Sequence, residues 1–194
     1  MTTDVIDRLV GITPGDALDS LRAQRPGARE NAQTSFDALL NSDELEDASQ
    51  PERLAVAYWT VALSRSAAAS FYRGLLAGAS EPIAAALDAA LPGAVTFGPY
   101  GDYPDGPLSV ENVPGLHWTA SASLTDAVGP RLAAALEHTH LLVYRPRDSS
   151  AGALRALLGA GWSTTGIVTI SQLVAFLSFQ LRVVAGLSVL KGEL

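Results

Sequence analysis

The sequence predicts a mainly helical protein, on three observations. Ser49 stands three residues before Glu52, the spacing of a capping box. Prolines follow residues suited to helix starts, as in Thr13-Pro14, Arg25-Pro26 and Gly129-Pro130. Residues 164–190 form one long apolar run free of proline.

The elements follow in order. Thr13 reads as an N-cap with Pro14 at the first helical position. Arg25-Pro26 opens a second helix, with Ala32, Phe36, Leu39 and Leu40 on one face. Asp43 to Gln50 is polar and acidic, a solvated connection. A long helix then runs from Pro51 to about Ala77, in which Leu54, Tyr58, Val61, Ala62, Ala68 and Leu75 keep an approximate 3.6 period. Ser80 with Pro82 starts a short helix through Leu91. Residues 92–126 carry so many Gly and Pro residues that no long helix fits. This stretch reads as a rigid aromatic arm, functional or packed across another subunit, with a short strand at Thr96-Phe97 or His117-Trp118-Thr119. Arg131 to Tyr144 is helical and stops at Pro146. Asp148 or Ser149 caps the next helix, which ends at Gly159, and Ser163 caps the last. One domain over 1–194 results: an N-terminal helical extension (1–45), a first helical half (49–91), the arm (92–126) and a second helical half (127–194).

Composition narrows the function. The 194 residues include 13 Lys+Arg and 20 Asp+Glu, a net charge of −7, and 48% are hydrophobic. A chain of this size buries roughly 70% of its unfolded surface and needs no disulfide. It contains no cysteine, which excludes thiolate nucleophiles, Cys-x-x-Cys redox pairs and Cys-ligated metals. The acidic balance argues against nucleic acid and anionic membranes. No basic segment precedes an apolar run at the N-terminus, so a cytoplasmic location is expected. Ser163 to Leu181 is uncharged and nearly long enough to span a bilayer, but polar residues are spread along it. The expectation is a central or interface helix and no membrane.

Ala160-Gly161-Trp162-Ser163, the aromatic stretch Phe176-Leu177-Ser178-Phe179, and Arg182 with Gly186-Leu187 resemble the final helix of the carboxymuconolactone decarboxylase (CMD) group. Alkylhydroperoxidase D belongs to that group. Glu52-Arg53-Leu54 followed by Ala55-Val56-Ala57 resembles the start of its other hallmark helix. The two stretches span about half the chain. The resemblance implies an all-α, alkylhydroperoxidase D-like bundle of about seven helices with a long Gly/Pro-rich loop. It also implies a hallmark helix carrying a Glu, a Cys-x-x-Cys pair about three turns on and a His one turn further. In that pattern a low-pKa thiolate attacks peroxide, the second Cys resolves it, and Glu and His relay the proton. Aligned on Arg53, the Glu position falls on Leu54, the two Cys positions on Ser66 and Ala69, and the His position on Arg73. All four groups are absent, so the expected protein is redox-inactive by the family mechanism, whatever oxidoreductase label the group carries. No catalytic residue, cofactor or metal is expected by that route.

Two functional readings remain open at this level. In the first the chain is an oligomeric binding or scaffold subunit, pairing with itself or with a cysteine-bearing relative of the group. In the second it is an enzyme using acid–base chemistry on a small acidic or lactone-like substrate, as in the decarboxylase branch. His117 and Glu111 would be the pocket groups there, with Arg73 as anion clamp. Arg65 and Arg73, eight apart, lie near one helical face and hold an anion, are solvated, or pair with Glu81 or Asp88. His138 and His140 point to opposite sides of their helix and read as a partly exposed face. Gly98-Pro99-Tyr100-Gly101 lacks the following Lys and helix start of a phosphate cradle.

Overall fold

The computed structural model describes residues 4–43, 45 and 47–193. Nine α-helices lie among them: α1 (Val5–Val10), α2 (Ala17–Ala23), α3 (Pro26–Leu40), α4 (Gln50–Leu63), α5 (Ala69–Ala94), α6 (Ala122–Val128), α7 (Pro130–Tyr144), α8 (Ala151–Gly159) and α9 (Thr164–Glu193). No strand occurs among the described residues, so the fold is all-α. The centre is α4, which packs against α5, α7 and α9. Every residue from Arg53 to Leu63 is buried, because α4 is enclosed on all sides.

Several start signals act as the sequence implies. Glu52 reaches back to accept the Ser49 N–H at 2.8 Å, the carboxylate half of a capping box. Pro26 begins α3, which buries Ala32, Phe36 and Leu40. Ser163 Oγ accepts the Gly166 N–H at 2.9 Å and caps α9. Ser80 breaks the helical dihedrals of α5, the point where a new helix was expected.

Other boundaries differ. The helix expected from Thr13 starts later, as α2, with Asp16 and not Thr13 at its N-cap position; the Asp16 carboxylate accepts both the Thr13 N–H (2.7 Å) and hydroxyl (2.9 Å), drawing the residues before α2 into a turn. Ser150, not Asp148 or Ser149, caps α8, while Asp148 is engaged by Arg145. The long helix expected over 51–77 is two helices turning at Ser64–Ala68. The connection over 43–50, of which residues 44 and 46 lie outside the described set, is clamped where a solvated link was expected. Ala48 is fully buried, and the Asp47 carbonyl accepts from Arg131 at 2.7 Å.

Arg131 joins four segments. Its Nε donates to Glu52 at 2.8 Å, and Nη1 donates to the Gly161 carbonyl at 2.8 Å. Its guanidinium also lies over the Trp162 ring, 4.1 Å from the centroid. Trp162 in turn donates Nε1–H to the Arg131 carbonyl at 2.8 Å. Arg53, on the same turn of α4 as Glu52, donates to the Ala48 and Leu39 carbonyls and so satisfies the end of α3.

The arm folds onto its own subunit. Trp118 stacks on His140 of α7 (centroids 5.6 Å apart) and meets Trp59 of α4 at a tilt (5.2 Å). The Tyr100 N–H donates to the Tyr144 carbonyl at 2.6 Å, and the Tyr100 ring presses so close to Gly115 that no side chain fits there. Neither expected strand forms; the arm holds one isolated bridge, Gly101 to Val113, and a 3-10 turn over Pro107–Glu111.

By length and composition α5 and α9 are each apolar enough to cross a membrane. In the fold α9 covers one side only. Ile170, Leu173, Val174, Leu177 and Val184 are buried, while Val168, Phe179 and Val189 are 49%, 50% and 63% exposed.

Gly166 shows how tightly the first turn of α9 is seated. A Cβ there would lie 2.7 Å from the Asp47 carbonyl oxygen and 2.9 Å from Trp162 Cε3. Helix propensity alone would make Gly166→Ala stabilising by about 1 kcal/mol. The overlap with backbone reverses the sign, and a net loss of about 1–2 kcal/mol is expected. Urea denaturation of the variant checks this; equal or higher stability would show that the Asp47 segment does not press on α9.

Candidate functional site

The turn between α4 and α5 is the local feature from which the site grows. Its hydrogen bonds are Arg65 N–H to the Ala62 carbonyl (2.9 Å) and Ser66 N–H to the Val61 carbonyl (3.3 Å). That pair is a Schellman motif, which requires a left-handed residue just beyond the helix end, usually glycine. Here the residue is Arg65, at φ 55°. A non-glycine residue in this region costs on the order of 1 kcal/mol. Ser66 follows, and its Oγ accepts the Ala68 N–H at 3.2 Å as α5 begins.

Two adjoining clefts open on this turn. One, of about 560 Å³, is lined by Ser64, Arg65, Ser66 and Ala67 of the turn, Val143 of α7, and Ser178, Leu181, Arg182, Val184, Ala185 and Ser188 of α9. The other, of about 700 Å³, shares Ser64, Arg65, Val143, Ser178 and Arg182, and adds Leu63, Leu142, Tyr144, Pro146 and Thr96–Pro99 of the arm. No Asp or Glu lines either one. Arg65 lies 4.2 Å from the Phe97 ring centroid, and Arg182 Nη1 donates to the Ser178 carbonyl at 2.6 Å. Neither guanidinium is ion-paired among the described residues. By contrast Arg22, Arg29, Arg73, Arg131 and Arg145 all hold carboxylates. The wall behind the second cleft is fixed by Tyr144, whose hydroxyl donates to the Leu63 carbonyl at 2.5 Å and accepts the Thr96 N–H at 3.2 Å.

The positions singled out in the sequence separate into two groups. Ser66 lies on the cleft, with Ala69 the first residue of α5. Leu54 is buried in the core. Arg73 lines neither cleft and takes the structural option: it holds Glu81 at 2.8 Å and Asp88 at 2.9 Å. Asp88 also accepts the Tyr58 hydroxyl at 2.5 Å, and burial, with the Asp88 charge, pushes that phenol up to about 12. Glu111 and His117 are exposed on the arm and line none of the clefts described here. The Glu111 backbone, not its carboxylate, is engaged, by Arg147 at 2.9 Å. An acid–base constellation of Glu111, His117 and Arg73 is therefore not assembled. No family model, curated protein or solved structure matches the chain.

The sequence pointed to Ser66 and Arg65 but missed Arg182 as their partner. The signal was present, since Arg182 is the one charged residue between Thr164 and Leu190. Ser178 and Val143 carried no signal, because their role depends on how α7 and α9 flank the turn.

His138 and His140 are buried, 6% and 2% exposed, where a partly exposed face was expected. The helix is covered on both sides, by α9 and by the arm. Ser171 gives its proton to the Ile167 carbonyl (2.7 Å), so His138 Nε2–H donates to Ser171 at 3.0 Å. His140 Nε2–H donates to the Ala94 carbonyl at 3.0 Å. Burial lowers both imidazoles from the usual 6.5, and for His140 the nearby Arg145 and His117 add to the shift. A depressed folded pKa means that the unfolded chain binds the extra protons. The stability contributed by these neutral rings is complete above about pH 6.5 and is lost as pH falls below it, by up to about 1.4 kcal/mol per pH unit for each ring. Urea unfolding at about pH 7.5 and about pH 5.5 tests this. A lower midpoint at the acid pH is expected, with a smaller difference in His138→Gln; identical midpoints would show that both rings titrate normally.

Proposed function

We propose that this chain is a cysteine-less, CMD/alkylhydroperoxidase D-like protein that works as a non-redox binding subunit and associates through α9. The carrying observation is the turn at Ser64–Ala68. It presents Ser66 at a helix start beside an open cleft, the setting in which the resemblance places a reactive thiolate. A hydroxyl there is not a nucleophile without a base. No His, Asp or Glu lines the cleft, and the Ser66 oxygen accepts a backbone N–H. The setting is suited to holding a ligand, and it lacks the groups to transform one.

Association is supported by the uncovered side of α9. Val168, Ala175, Phe179, Gly186 and Val189 follow one another at spacings of three, four and seven residues, which places them along one side of the helix. Contiguous apolar helix surface of this kind favours burial against a partner. The partner is read as a second copy or a cysteine-bearing relative of the group, and the protein as cytoplasmic.

Light scattering coupled to size exclusion tests the reading. At micromolar concentration a dimer or larger species is expected, and the double variant Val168→Glu, Phe179→Glu should run as a monomer. A monomeric wild type would overturn self-association. Thiol-dependent peroxide consumption should not exceed the buffer rate, and turnover above it would overturn the non-redox assignment.

A further inference from the structure

We infer that the cleft shared by Arg65 and Arg182 binds an organic phosphate monoester. The inference rests on the binding-subunit reading and deepens it by naming a ligand class.

Charge is the first consideration. In a chain of net charge −7, two guanidiniums line one cleft with no carboxylate in its walls. Their charges repel each other and await an anion. A carboxylate has one charge and two oxygens, which a single guanidinium satisfies in a bidentate pair. A phosphate monoester carries nearly two negative charges and three terminal oxygens at neutral pH. It therefore matches two arginines. Hydroxyl donors complete the set. Ser66 accepts the Ala68 N–H and keeps its own proton to give, and the Ser188 hydroxyl makes no hydrogen bond among the described residues. Ser64 and Ser178 donate back to Thr60 and Val174 and add no donor.

Backbone conformation is the second consideration. Arg65 occupies a left-handed position where glycine would fold more easily. An arginine there directs a charged side chain from the turn to the cleft lining at a cost in stability, and such outliers concentrate at ligand sites. The third consideration is the apolar wall. Leu181 and Val184, only 9% and 8% exposed, stand beside Arg182 with Val143, so the cleft offers an apolar surface to the organic part of an ester.

Titration calorimetry on the full chain with phenyl phosphate, benzoate and inorganic phosphate tests the assignment. Phenyl phosphate should bind, with benzoate and inorganic phosphate each weaker by at least about tenfold. Arg65→Gly and Arg182→Ala should each weaken phenyl phosphate by about tenfold or more. Arg65→Gly should keep or raise the melting temperature, which separates loss of a ligand group from loss of the fold. No heat from phenyl phosphate would overturn the proposal. Benzoate binding as tightly would overturn the phosphate class, inorganic phosphate binding as tightly would overturn the organic body, and wild-type affinity in either variant would overturn the site. Absent binding with the assembly intact strikes only the ligand; a monomer that binds phenyl phosphate strikes only the association.

Discussion

The contact on which the rest of the architecture depends is the guanidinium of Arg131. A helical bundle has no sheet to set the relative heights of its helices, so height is fixed by side chains that cross between them. Arg131 stands on the first turn of α7 and reaches Glu52 on α4, the carbonyl of Asp47 and the carbonyl of Gly161. Its planar guanidinium covers Trp162, whose indole returns a hydrogen bond to the Arg131 backbone. Hydrogen bonds to a charged donor are worth more than neutral ones, and a planar fork can serve several acceptors at once. One side chain thereby aligns the starts of α4, α7 and α9. The clefts at the other end of α4 inherit their shape from that alignment, because Arg65 closes α4 and Arg182 lies well along α9.

How much of this was legible in the sequence depended on whether the cause was local. Ser49 and Glu52 act over three residues, and so does Ser163, so their roles follow from spacing alone. Pro26 and Ser80 mark a start and a break for equally local reasons. The turn at Arg65 was hidden because nothing in Leu63-Ser64-Arg65-Ser66-Ala67 signals a left-handed residue; the usual glycine is missing. The burial of His138 and His140 was hidden as well, since it depends on α9 and the arm covering opposite sides of α7. The arm itself showed that it was not helical, and its aromatic residues showed that it needed a surface. Only the fold shows that the surface belongs to its own chain, through Trp118 on Trp59 and Tyr100 beside Tyr144.

The candidate site is defined by the turn between α4 and α5 and what surrounds it. Ser66 stands in that turn, just before α5 begins. Two arginines from distant parts of the chain flank it, and the walls hold no carboxylate. The Arg73 cluster, which looked equally charged in the sequence, pairs its guanidinium with the carboxylates of Glu81 and Asp88 and has no positive charge left to offer a ligand.

The ring cluster of Trp59, Trp118 and His140 has an optical consequence. Two of the chain's three indoles meet where the arm crosses the bundle, one fully enclosed and the other half covered. The arm cannot lift from α7 without changing the surroundings of both. The protein thus carries a built-in fluorophore pair that reads the seating of its longest irregular segment, with no label attached.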